Sequence, residues 1–132
     1  MQPDGRYEVK QMSLTRNYEQ DCWSLSEDGR KLLTVKEAVV DGTVVVTLAG
    51  TLRSDMEHVF RDELLALMTV GMNVVLDCGQ LQYIAGTCQD ALLSVQQTAD
   101  NINRGTLTLR HVPSAILAEL EKTNLHELLM IE

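Results

Sequence analysis

The chain has 132 residues, 45% of them apolar, and 19 Asp or Glu against 11 Lys or Arg give a formal net charge of −8. That is enough chain for one domain with a real core, and too apolar for wholesale disorder, yet no run approaches the ~20 apolar residues of a membrane-spanning helix. The acidic balance, without basic clusters, argues against nucleic acid as the main partner and against an electrostatic hold on anionic lipid.

The opening Met-Gln-Pro-Asp-Gly-Arg leads into no apolar stretch, so no secretory signal is expected. Residues 1–30 are poorer in apolar side chains than the remainder, with Tyr7, Tyr18 and Trp23 isolated among polar neighbours. One reading is a loosely ordered N-terminal extension. The other is an arm that docks these aromatics on its own domain or on a partner, since aromatic burial is worth much. The domain proper is expected over 31–132.

From Lys31 the punctuation is regular. Leu32–Val40 is rich in β-branched residues and reads as a strand. Asp41-Gly42 favours the positive φ of a tight hairpin. Thr43–Leu48 is a second strand whose Val run suggests burial on both faces. Ser54-Asp55-Met56-Glu57 reads as a capping box. Met56, Val59, Phe60, Leu64, Leu67 and Met68 then recur on one helical face, and Gly71 ends the helix. Asn73–Asp77 is a third strand. Residues 78–86 are predicted as a loop, and a second helix starts near Thr87 and runs to Arg104-Gly105. Thr106–Val112 alternates like a fourth strand. Pro113 suits a helix's first turn, Asn124 its stop, and Leu128–Ile131 a last strand. The order β-β-α-β-α-β-α-β implies an α/β fold with a mixed, largely parallel sheet.

The chain carries little chemistry. His58, His111 and His126 fall on different elements and read as structural or solvated. Neither a Gly-x-Ser-x-Gly elbow nor a Gly-rich phosphate loop is present. Asp62-Glu63 lies mid-helix, where a solvated charge is the expectation. Cys22, Cys78 and Cys88 have no CxxC or Cys/His ligand spacing, so neither a disulfide framework nor a metal site is expected, and a reducing cytoplasm is the natural compartment. No cofactor is implied.

The informative stretch is Tyr83-Ile84-Ala85-Gly86-Thr87-Cys88-Gln89-Asp90, which enters the second helix. A helix N-terminus presents unpaired N–H groups and partial positive charge. Thr87 there is a candidate phosphoacceptor or, with Asp90 three residues on, simply the cap. Cys88 is a candidate low-pKa thiol or, on the helix's apolar face, an inert buried one. A Cys88 nucleophile would need a base, and no histidine is placed to serve.

Element order and loop together resemble the STAS family, shared by sulfate transporters and anti-sigma factor antagonists. The resemblance spans residues 31–132. Val44–Leu52 (VVVTLAGTL) resembles the family's second strand with its L-x-G-x-L ending. Val74–Asp77 followed by Leu81–Ile84 resembles the third strand and its approach to the signature loop. Leu107–Leu109, Val112–Ile116 and Leu125–Leu129 resemble the fourth strand, the Pro-started helix and the ending. The resemblance implies a non-enzymatic, cytoplasmic regulatory module of bacterial signalling that works by protein–protein contact through Arg53, Ile84, Ala85, Gly86, Thr87 and Cys88. The implied partner is an anti-sigma factor or related ATP-binding regulatory kinase. The family's antagonists carry Asp-Ser-(Ser/Thr)-(Gly/Cys) here, with the first Ser phosphorylated. Ala85 and Gly86 stand at the Asp and Ser positions, Thr87 and Cys88 match the next two, and Arg53 replaces a frequent Asp. The usual phosphoserine switch is therefore expected to be missing. The alternative is a STAS subunit bracing the ATPase of a membrane transport complex.

Overall fold

The computed structural model describes residues 14–20, 22–102 and 105–132. The expectations for Tyr7 and Arg104 fall outside them. Among the described residues the strands are β1 (Leu14–Tyr18), β2 (Cys22–Glu27), β3 (Arg30–Val40), β4 (Thr43–Leu52), β5 (Asn73–Ile84), β6 (Thr106–Arg110) and β7 (Met130–Ile131). The helices are α1 (Glu57–Thr69), entered through a 3-10 turn at Ser54–Met56, then α2 (Gly86–Ile102), α3 (Ser114–Lys122) and the single turn α4 (Leu125–Leu128).

The strands make one sheet in chain order, β1 to β7. The first four pair antiparallel and the last three add in parallel. Each parallel crossover steps the same way across the sheet, so the right-handed rule puts the crossover helices on one face. That face carries Leu33, Val35, Val46, Leu48, Val74, Leu76, Leu107 and Leu109, all buried. They pack with Phe60 and Leu64 of α1, Leu92 and Val95 of α2, and Leu120 of α3 in a single core. Gln96 of α2 closes the β7 edge. Its amide N donates to the Leu128 carbonyl at 2.7 Å, and its Oε1 accepts from the Met130 N–H at 3.3 Å. No described helix is long and apolar enough to cross a membrane.

Four sequence expectations change. The first concerns the extension: Leu14–Tyr18 and Cys22–Glu27 are paired strands, not loose chain. Trp23 and Leu25 point into the core at 6% and 2% exposure, so the docked-arm reading describes Trp23, whereas Tyr18 stays 69% exposed. The hairpin to β3 is made by Asp28 (φ 53°) and Gly29 (φ 78°), the same chemistry as Asp41 (φ 51°) and Gly42 (φ 79°). Arg16 holds the outermost strand down. Its guanidinium stacks 4.0 Å over Trp23 and 4.9 Å over Tyr18, and reaches Glu63 of α1 at 2.5 Å.

The second is the capping box, which does not form. α1 starts at Glu57 with no side-chain cap bond. Asp55 turns instead to Arg53, and Glu57 pairs with Arg61 one turn on at 2.7 Å.

The third is the loop predicted over 78–86, which is strand as far as Ile84. Two register shifts against β4 absorb extra residues of β5. These bulges interrupt the alternation that reveals a strand.

The last is Leu128, which belongs to α4 rather than to the final strand. Asn124 marks the turn, with φ 61°.

Candidate functional site

β4 and β5 are parallel neighbours, so the turns leaving their C-terminal ends lie side by side. Leu52 and Ile84 are register partners. One step beyond, the Ala85 N–H donates to the Leu52 carbonyl at 2.8 Å. Such carboxyl ends are where open parallel sheets present their binding loops.

The turn into α2 is fixed from below. Ala85 is the capping position: its carbonyl accepts from the Cys88 and Gln89 N–H groups, both at 3.0 Å. Gln89, 6% exposed, donates its amide to the Ile84 carbonyl at 3.1 Å. Ile84, Ala85 and Cys88 are buried. Only Gly86 and Thr87 of the turn are exposed, forming its crest beside Tyr83.

Thr87 therefore sits inside the first turn of α2 with its side chain in solvent, and the cap predicted for it is supplied by the backbone of Ala85. Cys88 is not an activated thiol. Its Sγ donates to the Arg53 carbonyl at 3.4 Å. Burial, followed by the charges of Glu57 and Asp55, outweighs the contact with Thr87 and pushes its pKa up to about 11. Burial outweighs the helix dipole here because the side chain lies on the core face.

Arg53 is not a free cation awaiting an anionic partner. Nη1 and Nη2 bond both oxygens of Glu27 at 3.1 and 3.2 Å, while Nε and Nη2 take Asp55 at 3.1 and 2.5 Å. The Asp55 bonds, then the Glu27 bonds, hold its pKa further above the ordinary arginine value. The guanidinium lies between the two carboxylates at the edge of the crest. Glu27, on β2, belongs to a segment read as extension, so no motif could have flagged it.

A family model described as "Mlab, STAS domain" matches residues 35–132. The chain belongs to the STAS family. Solved structures agree with its fold. The NMR structure of TM1081, a protein of Thermotoga maritima, superposes with TM-score 0.65 at 16% identity, over 73% of this chain and 78% of that one. An anti-sigma factor antagonist from Mycobacterium paratuberculosis gives 0.63 at 14% identity, over 75% and 84%. Unphosphorylated SpoIIAA, an anti-sigma factor antagonist of Bacillus, gives 0.62 at 14%, over 74% and 87%. At these identities the likeness is one of fold. No curated protein matches. The STAS match begins inside β3, so β1, β2 and the Glu27 carboxylate lie outside it.

Proposed function

We propose that this STAS protein is a non-catalytic regulatory interaction module of the cytoplasm, docking a protein partner through the crest at Gly86 and Thr87 with Arg53 at its edge. Ile84, Ala85 and Cys88 act from beneath, by holding the crest in shape. The partner class is an anti-sigma factor or related ATP-binding regulatory kinase, in line with the antagonists that share the fold.

The observation that carries this reading is the exposed, uncharged crest on an otherwise immobilised turn. Gly86 has no hydroxyl, so the phosphoserine switch of the antagonists has no acceptor at that position. Thr87 is the one hydroxyl of the turn, and it is exposed. A phosphate there would bring about −1.5 to −2 charge to a surface already edged by Asp55 and Glu27. A partner contact needing no phosphate also suits a STAS subunit bracing a transport ATPase, and the same crest serves that second reading.

The test is affinity capture from the native host with the wild-type chain and Thr87→Glu side by side. Recovery of an ATP-binding regulatory kinase by the wild type, and its loss with Thr87→Glu, supports the docking surface and the regulatory class. Recovery of transport ATPase subunits moves the protein to the second reading. Equal recovery by both chains removes the crest from the interface.

A further inference from the structure

The opposite end of the sheet, about 30 Å away along β4, carries a second surface with different chemistry. A cleft of about 510 Å³ opens there between the β1–β2 turn, β3 and the C-terminal half of α1. Its floor is Trp23, Leu67 and Met72, and its walls carry Glu19, Glu37 and Glu63. The cleft continues onto solvent-facing apolar side chains: Tyr18 and Val39 on its rim are 69% and 68% exposed.

The charges do not balance. Among the described residues Arg16 is the cation at the cleft, and it is engaged with Glu63 and with the Trp23 and Tyr18 rings. Glu37 faces Glu63, with no ion pair of its own among the described residues. The Trp23 indole N–H leans toward Glu37 without reaching hydrogen-bond geometry. Arg16 already covers the Trp23 and Tyr18 rings and pairs with Glu63, which leaves the Glu37 carboxylate, beside the apolar Val39, to attract one further cationic group carried between apolar neighbours. The exposed Tyr18 and Val39 side chains beside the cleft suit a polypeptide over an enclosed small molecule.

We infer that this cleft is a second docking site, which takes a basic side chain of a partner polypeptide on Glu37, beside the Arg16–Glu63 pair, and lays the flanking apolar residues on Tyr18 and Val39. It is independent of the crest at Gly86 and Thr87, so one STAS protein bridges two partners from its two ends.

The full ¹⁵N-labelled chain is titrated with acetyl-Leu-Arg-Val-Leu-amide and with the same peptide carrying citrulline, the neutral isostere of arginine. The arginine peptide is expected to shift the amides of Tyr18, Cys22, Glu37 and Glu63, and the citrulline peptide to bind about tenfold more weakly, as for loss of a charged hydrogen bond. Glu37→Gln should weaken the arginine peptide similarly, and Thr87→Glu should leave it unchanged. Equal binding of the two peptides, shifts at the crest instead of the cleft, or undiminished binding by Glu37→Gln overturns the assignment. Glu37→Gln removes a like-charge contact and keeps the fold, and an unchanged amide spectrum away from the cleft checks this.

Discussion

Arg53 and Glu27 meet fork to fork, with Nη1–Oε1 at 3.1 Å and Nη2–Oε2 at 3.2 Å. The pair ties β2, outside the STAS match, to the turn after β4, whose Arg53 carbonyl takes the Cys88 thiol. The side chains are 32% and 26% exposed, so solvent screens the pair and its coupling should be about 0.5–1 kcal/mol. A double-mutant cycle with Arg53→Met and Glu27→Gln in urea measures it. Arg53→Lys should recover little, because an ammonium cannot fork to Glu27 and Asp55 together. Full recovery by lysine would mean that charge alone, without geometry, holds the turn.

Glycine separates two kinds of positive φ here. Gly50, in the L-x-G-x-L ending of β4, has φ +110°, and a Cβ there would run into the Leu32 carbonyl across the β3 pairing. Gly42 and Gly71, at φ +79° and +83°, have nothing within 4 Å of such a Cβ. Gly42→Ala and Gly71→Ala should each cost about 1 kcal/mol from backbone conformation alone. Gly50→Ala should cost on the order of 3 kcal/mol or more, since the β3–β4 backbone must part. Thermal melts followed by circular dichroism order the three variants. Equal losses would sink the close-approach argument for the family's glycine.

The contrast extends to what the sequence could reveal. The β3–β4 hairpin was legible because Asp41-Gly42 sits between long β-branched runs. Asp28-Gly29 makes the same turn but was not legible: β1 and β2 offer only Leu14, Trp23 and Leu25 to the core face, and their pairing depends on Arg16 reaching α1 from 47 residues away. Strand β5 was legible as far as Asp77 and lost at Cys78-Gly79, where the register shifts break the alternation. At the crest, residue types located the turn and the missing hydroxyl at Gly86. They could not reveal that Ala85 supplies the cap, or that Arg53 is already paired. Both facts depend on contacts distant in sequence.

The three thiols should react in a fixed order. Burial, then the charge of Asp77, pushes Cys78 up to about 12, and burial pushes Cys88 up to about 11. At pH 8 a thiol of pKa 11 is about one part in a thousand thiolate. Both are also buried, whereas Cys22 is partly exposed. Iodoacetamide at pH 8 should therefore label Cys22 alone in the native protein, and all three after unfolding in guanidinium. Early labelling of Cys88, read by peptide mass spectrometry, would reopen the case for a reactive thiol at α2.

Glu37 gives the fold a signed pH dependence. Its carboxyl is held above the usual glutamate range, first by burial, next by the charge of Glu63, with Trp23 and Arg16 pulling the other way. A raised folded-state pKa means that the folded chain binds the proton more tightly than the unfolded chain does. The stabilisation is then fully present below the unfolded pKa of about 4.5, and is lost as pH rises through the folded value. Wild-type stability should therefore fall relative to Glu37→Gln across the window that starts near that value and extends upward. The variant should melt higher at pH 7 and lose this advantage by pH 4. Arg16→Gln should widen the gap, because it removes the cation that offsets the pair. A constant difference between wild type and Glu37→Gln from pH 4 to pH 7 would show that Glu37 ionises as readily in the folded chain as in the unfolded one, so that neither burial nor Glu63 penalises its charge.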